Sequence, residues 1–430
     1  MSFLTGPMRK HLDGHKELTN HEDVLKVEAG NLVKIPLLNG NALCQSKVKE
    51  NDLVKVGTLI GERNDHFYVP LYSSVSGRVV KIEKLMSSAL KPVDHVVIEN
   101  DGKYEVERPF EPLDYTSATR EQLVDFMKKA GIVGCGGAGF PTYVKYLKPD
   151  NIDLLIINAV ECEPYITADY KLMSLNVELL VKGVEALFKM SCAKECKVCI
   201  KETKKDFIPV LEKAFANVDK VSVFAVPDVY PMGWERTLVY EVTKKRYDKL
   251  PSEVGCIVSN ATTAISFADA LVNGMPIVKK VLTVAGDGVK TNKNVEVRVG
   301  TSAHEIVEAL GGYTSDNVLL IAGGPMMGKT ITTDAFVIGT YNNALTIFKN
   351  KDIEPIKCLR CGKCSDHCPA GLQPVRINAA NKAHDLDTVM ALDVNSCIEC
   401  GMCTYICPSK INVTEGIRQA KRFLALKKKK

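Results

Sequence analysis

The sequence predicts a multidomain α/β chain of four successive units. Three observations carry that prediction. From about Val33 to Glu99 the chain reads as short β segments separated by Gly turns, the pattern of a small β-sandwich. From Thr119 it changes to helix and strand in alternation, as in a layered α/β domain. Near the C-terminus one cysteine pattern occurs twice, in a stretch that otherwise reads as helical.

Residues 1–30 are polar and poorly periodic and are read as an N-terminal extension. Residues 31–105 form the β-sandwich. Within it Val69–Val80, VPLYSSVSGRVV, resembles the hairpin of biotinyl/lipoyl carrier domains. Those carry a Lys at the hairpin tip. Here the tip reads Ser73-Ser74-Val75-Ser76, so the carrier-like fold is expected without swinging-arm chemistry.

The α/β domain spans 115–270. Arg120–Ala130 is an amphipathic helix with Ser117 or Thr119 as its cap. Asp153–Asn158, DLLIIN, is a continuous apolar run, as expected of a strand buried on both faces of a parallel sheet. Helices are expected near 173–190 and 204–216, and strands near 197–201 and 220–226. Residues 278–345 return to short segments in strand–strand–helix–strand order, the size of a β-grasp unit. A linker near Lys349–Glu354 leads into the helical cluster domain at 350–425.

Cys358, Cys361, Cys364 and Cys368 read C-x2-C-x2-C-x3-C-P, and Cys397, Cys400, Cys403 and Cys407 repeat it. This is the spacing of bacterial two-cluster ferredoxins, in which the fourth Cys ligates the other cluster. One [4Fe-4S] cluster is therefore assigned to Cys358, Cys361, Cys364 and Cys407. The second is assigned to Cys397, Cys400, Cys403 and Cys368. Zinc sites use pairs of Cys and have no use for a third at the next x2 step. Disulfides need an oxidising compartment, which nothing in the sequence supplies. Two such clusters close together serve one-electron transfer.

A content of 46% hydrophobic and 25% charged residues describes an ordinary soluble globular protein. No run of 18 or more apolar residues appears, so no transmembrane helix is expected. The N-terminal stretch has no apolar core of a secretory signal. Fifteen Cys imply a reducing cytoplasm. A net charge of +5 without a basic stripe interleaved with aromatics excludes a nucleic-acid binder. The run Lys427–Lys430 reads as a solvated helix end, with anionic lipid or an acidic partner as the sharper alternative.

Gly131–Thr142, GIVGCGGAGFPT, is a loop with almost no side chains. Such a loop lets backbone N–H groups approach a phosphate or a planar ring. It departs from the Rossmann G-x-G-x-x-G and from Walker A. With Lys145 and Asn158-Ala-Val-Glu161-Cys-Glu163-Pro164, it resembles the flavin and nicotinamide module of NADH dehydrogenases. That module is shared by the FMN subunit of respiratory complex I and the RnfC component of the Rnf electron-transport complex. NAVECEPYITADYKLM, GGPMMG at 323–328 and CLRCGKCSDHCPAGLQP at 358–374 resemble the Rnf version. The resemblance runs from roughly residue 12 to 425 and keeps the order carrier-like sandwich, FMN/NADH domain, SLBB-like β-grasp and double cluster domain.

The resemblance implies that Gly134, Gly136, Gly137, Gly139 and Phe140 line FMN and the nicotinamide of NADH. It implies that Lys145 and Asn158 hold the flavin phosphate and ribityl region, and that Asn260 and Thr263 close over the phosphate. Glu161 and Glu163 would sit near the nicotinamide. The implied activity is transfer of electrons from NADH through FMN and the clusters to a one-electron acceptor. The implied partners are other Rnf-type electron-transfer subunits, or ferredoxin, with at most peripheral association on the cytoplasmic face of the membrane.

Three departures stand out. The family's GG[IV]HPP element is missing from LTGPMRKHLDGHKELT. Cys135 occupies a loop position that is usually aliphatic, where a thiol would face the flavin or its neighbourhood, with a small buried filler as the alternative. Trp234, in Tyr230-Pro-Met-Gly-Trp234-Glu235-Arg236, is expected to reshape the nicotinamide end. These departures resemble side branches such as the cobalamin reductase of propanediol microcompartments or the electron-transfer protein of D-proline reductase. A soluble protein dedicated to one partner reductase is thus the first alternative, and a flavin-less iron–sulfur relay the second. Cys192, Cys196 and Cys199 mimic a radical SAM spacing, but Cys199 lies in an apolar strand and no third cluster is expected. Cys44, Cys162 and Cys256 read as ordinary small residues.

Overall fold

A computed structural model describes residues 8–87, 90–351 and 353–427. Lys428–Lys430 of the basic tail, and the first residues of the N-terminal stretch, lie outside them.

The first unit pairs two antiparallel sheets. One runs Leu32–Pro36, Pro92–Asn100, Gly77–Met86, Leu53–Val54; the other runs Gln45–Ser46, Leu59–Asn64, Tyr68–Tyr72. Val33, Ile35, Val79, Val96 and Ile98 of the first meet Ile60 and Leu71 of the second, the alternation of a half-buried strand. The serine tip is buried. Ser74 Oγ donates to Val299 O at 2.5 Å, and Arg298 Nη1 donates to Ser74 O at 2.6 Å. A tip docked this way cannot swing.

The α/β domain is built on a four-stranded parallel sheet, in the order Val221–Val226, Glu195–Lys201, Leu154–Asn158, Cys256–Asn260. Leu155 and Ile157 enter the core on one face, and Leu154 and Ile156 the core on the other. That two-sided burial explains the unbroken apolar run. The helix Arg120–Lys129 opens with Thr119 in a capping box with Gln122. The helix expected near 173–190 starts earlier and breaks at Asn176, giving Ala168–Leu175 and Val177–Ser191. Cys196 and Cys199 belong to opposite cores of the sheet, so they cannot share a ligand.

The β-grasp unit is larger than its sequence pattern. Its six-stranded sheet runs Leu25–Lys26, Lys293–Arg298, Lys279–Ala285, Ala344–Lys349, Val318–Ala322, Lys329–Ile331. Ala344–Lys349, expected to lead into a linker, is a central strand between Lys279–Ala285 and Val318–Ala322. The N-terminal segment is not a free extension. Leu25 and Lys26 add an edge strand here, Gly14 O accepts from Tyr165 N, and Lys10 bridges to Tyr230.

The last unit is helical around its loops, with Pro374–Lys382 packed on Val413–Lys427. Among the described residues no helix is long and apolar enough to cross a membrane.

Candidate functional site

The glycine loop closes on itself through Gly134 N to Phe140 O at 2.9 Å. Gly136, Gly137 and Ala138 form its exposed crest. A Cβ on Gly136 would stand 2.8 Å from Asn260 Nδ2, whereas one on Gly137 would meet nothing within 4 Å. The crest therefore has open space over Gly137, as a ligand held by backbone N–H groups requires. Gly139, at φ +65°, packs against Tyr341, and its carbonyl accepts from Asn39 Nδ2 at 3.0 Å. Phe140 is exposed and meets Phe67 edge to face, with ring centroids 5.6 Å apart.

Beneath the loop begins the helix Ala261–Asn273, capped by Asn260, whose Oδ1 accepts from Thr263 N. Its N-terminal N–H groups favour an anion. Thr263 Oγ1 accepts from Cys135 N at 3.0 Å, so Thr263 ties the loop to the helix. Asn260 Nδ2 donates to Asp169 Oδ2 at 2.8 Å.

Cys135 corrects an expectation. Its side chain is fully buried, with Sγ directed to Val133 O at 3.4 Å and Ser266 Oγ at 3.7 Å. Flanking glycines do not expose the thiol, because the helix packed beneath the loop covers it. Cys135 fills space under the loop and does not face the crest.

Lys145 Nζ donates to Val258 O at 2.7 Å and lies 3.7 Å from Glu235 Oε2. Burial pushes its pKa below the usual lysine range, partly offset by Glu235. Asn158 Nδ2 donates to Gly233 O at 2.8 Å, joining the strand end to the Tyr230–Trp234 turn. Trp234 is half-buried, with the Arg236 guanidinium 6.0 Å from its ring centroid.

Glu161 is 6% exposed at its side chain; Oε1 accepts from Asp169 N at 2.8 Å, and Oε2 has no hydrogen-bond partner. Burial raises its pKa to about 7, against the pull of Lys16, whose Nζ is 3.8 Å away. Glu163 lies farther over. Its Oε1 accepts from Met326 N at 2.7 Å and Met327 N at 2.9 Å. A Cβ at Gly324 would stand 2.1 Å from Glu163 Cγ, so the GGPMMG segment is shaped to receive this carboxylate.

Cys368, Cys397, Cys400 and Cys403 line one cavity with Leu372 and Ile417. Among the described residues no three His, Cys, Asp or Glu side chains close to the spacing of a single ion. Thiols standing around a cavity fit a cluster, whose ligands each bind a separate iron. The other four lie outside this inner set. Cys358 and Cys361 are exposed, and Cys364 and Cys407 half-buried. The turn after Cys407 is tied to the segment before Cys358: Ile356 N donates to Ser409 O and Ser409 Oγ to Lys357 O, each at 3.1 Å. The fold thus brings Cys368, the fourth Cys of the first motif, to the first three of the second.

Two residues that carry the site escape sequence reasoning. Lys16, in the N-terminal segment, donates to the carbonyls of Glu161 at 3.0 Å, Glu163 at 2.8 Å and Ile166. Tyr230 hydrogen-bonds Cys400 O at 2.7 Å and Glu163 Oε2 at 3.2 Å. In the Tyr230–Arg236 turn it is Tyr230 that reaches the cysteine domain. Lys16 has no local signal.

A glycine loop at the carboxyl end of a parallel sheet, in a domain whose Tyr230 reaches a second domain with two runs of four cysteines, defines a flavo-iron–sulfur electron-transfer protein. Comparison with known proteins specifies it. Family models match as the RnfC barrel sandwich hybrid domain at residues 9–103, the Nuo51 FMN-binding domain at 127–269, the SLBB domain at 281–330 and the 4Fe-4S dicluster domain at 350–408. The RnfC-type component of the Na+-translocating ferredoxin:NAD+ oxidoreductase complex of Acetobacterium woodii is 36% identical, over 93% of this chain and 92% of its own length. The proton-translocating counterpart of Clostridium ljungdahlii is 34% identical over 85% and 81%. The corresponding component of the ion-translocating oxidoreductase complex of Rhodobacter capsulatus is 32% identical over 88% and 75%. An NAD+-reducing [NiFe]-hydrogenase crystal structure shares the fold at a TM-score of 0.51 and 18% identity, over 73% of this chain and 62% of the other. The chain belongs to the RnfC family of ion-translocating oxidoreductase complexes. It is an NADH-linked electron-transfer protein with an FMN domain and a double [4Fe-4S] domain.

Proposed function

We propose that this chain accepts electrons from NADH at the glycine loop and delivers them singly, through the inner cysteine set and then the outer, to another subunit of an Rnf-type complex. Bound FMN would supply the exchange between a two-electron donor and one-electron carriers, and the clusters the one-electron steps. The observation that carries the order is the contact of Tyr230 with Cys400: the inner set abuts the nucleotide domain. Gly401 packs against Met326 O in the same seam, and Leu12, Tyr230 and Met402 close it to water.

The chain's own residues have definite tasks in this scheme. Gly136 and Gly137 let backbone N–H groups approach the flavin, and the helix N-terminus at Asn260 receives its phosphate. Lys145 and Asn158 hold the sheet end against the Tyr230–Trp234 turn. Lys16 holds the Glu161–Ile166 turn by its carbonyls. Peripheral placement on a membrane complex is supported by relatives named as ion-translocating, and an NADH donor favours its cytoplasmic face.

Replacing one ligand in each set tests the order. In Cys361→Ser protein, NADH should reduce the remaining inner cluster at the wild-type rate. In Cys400→Ser protein, reduction of the remaining outer cluster should slow by at least about tenfold. Equal rates in the two variants would reject the order.

A further inference from the structure

The stretch that lacks the family's GG[IV]HPP element has a place of its own in the fold. Residues 8–15 belong to no helix or strand and lie across two units. Met8 N donates to Asp366 O at 2.8 Å, on the cysteine domain. Arg9 pairs with Glu241 of the nucleotide domain at 2.5 Å, and His11 Nδ1 lies 2.9 Å from Asp228 O. Lys10 O accepts from Tyr230 N at 2.8 Å. Leu12, 8% exposed, packs with Tyr230, Cys400 and Met402. Lys16 then closes on the Glu161–Ile166 turn.

Tyr230 is thus held at both ends. Its N–H goes to this segment, and its hydroxyl goes to the loop that carries Cys400. The covalent route to that loop gives no such hold: residues 353–357, between the β-grasp sheet and the first cysteine, are exposed. A domain on an exposed linker keeps one orientation only through its side contacts.

We propose that residues 8–16 are a strap that seats the inner cysteine set on the nucleotide domain, and that Arg9 and Leu12 are positioning residues for the flavin-to-cluster step. The inference rests on the order of transfer proposed above. Arg9 fixes the start of the strap on the helix Glu235–Thr243, Lys10 fixes the Tyr230 backbone, and Leu12 fills the seam. NADH supplies two electrons, and each passes singly from the flavin site to the inner cluster. No strap atom is oxidised, reduced or protonated; the strap acts by holding distance. Misplacing a reacting pair by about 1 Å is enough to cost about a hundredfold in rate.

The test uses the full-length protein loaded with FMN and clusters. After mixing with NADH, flavin bleaching and cluster reduction are timed separately by stopped-flow absorbance and freeze-quench EPR. In Leu12→Asp and in Arg9→Glu, flavin bleaching should keep its wild-type rate while cluster reduction slows by about tenfold or more. Leu12→Met should restore cluster reduction, and so should the charge swap Arg9→Glu/Glu241→Arg. Iron and flavin contents should match wild type. Cluster reduction at the wild-type rate in both single variants overturns the inference, as does equal slowing of both steps. If Leu12→Asp loses iron, Arg9→Glu and its charge swap decide alone, since that pair lies away from the seam. Clusters that stay oxidised with NADH in wild type would reject the electron-transfer scheme itself, whereas wild-type reduction with unslowed variants rejects only the strap.

Discussion

The hydroxyl of Tyr230 lies 2.7 Å from the carbonyl oxygen of Cys400, across the seam between the nucleotide domain and the inner cysteine set. The same oxygen is 3.2 Å from Glu163 Oε2. A phenol has one proton to donate, and the shorter contact is to the carbonyl. Burial raises the Glu163 pKa, and the Met327 and Met326 N–H groups and the Tyr230 hydroxyl pull it back. Tyr230→Phe removes both bonds and leaves a buried carbonyl without its partner, at a cost of about 1–3 kcal/mol. The expected result is normal iron content with faster hydrogen exchange around residues 400–403 and slower reduction of the clusters by NADH. Unchanged exchange there would show that the hydroxyl does not hold the seam.

Glycine substitutions separate folding from ligand approach. Gly137→Ala meets no atom of the chain within 4 Å, so the fold should keep its melting temperature while bound flavin falls sharply. Gly136→Ala drives a Cβ against Asn260 and should lose stability as well as flavin. Flavin retained at full occupancy in Gly137→Ala would place the ligand elsewhere.

Lys16 is the buried partner of Glu161 and of three carbonyls. Removing the ammonium leaves partly buried carbonyl acceptors without their donor, at a cost of about 1–3 kcal/mol. Lys16→Met should therefore lower the melting temperature and the flavin content together. Full stability in this variant would mean that water replaces the ammonium at no cost.

Glu161 makes stability depend on pH. Its pKa in the folded chain, about 7, lies above the ordinary 4.5, so the native state holds the proton more tightly than the unfolded chain. The associated stability is complete below about pH 4.5 and is lost as the pH rises through about 7. Lys16, Lys204 and Asp169 are the charged groups acting on it. Glu161→Gln should flatten the decline in melting temperature between about pH 5 and 7. An identical slope in the variant would assign the effect to other groups.

Cys135→Ala should leave transfer from NADH unchanged, since the thiol points beneath the loop. A small loss of stability, about 1 kcal/mol, is expected from the deleted sulfur. A selective slowing of transfer, measured by stopped-flow absorbance, would restore the thiol to the electron path.

Cluster cysteines are legible in the sequence because three ligands per cluster come from one short loop, where covalent spacing alone sets the geometry. The strand Leu154–Asn158 is legible because burial on both faces leaves no polar position. Lys16 and Tyr230 are not, because their partners lie 67 to 170 residues away and nothing nearby announces the contact. Ala344–Lys349 is missed because its neighbours in the sheet come from distant segments. Cys135 misleads for the same reason: local sequence shows glycines on either side, while Thr263 and Ser266 decide its burial.

The most direct measurement is anaerobic reconstitution of the full chain, then iron, sulfide and flavin analysis with an NADH titration followed by visible and EPR spectra. About eight irons and one FMN per chain, with cluster signals appearing as NADH is added, is the predicted result. About eight irons without flavin and without a response to NADH would contradict it, leaving a ferredoxin-like relay beside an unused glycine loop.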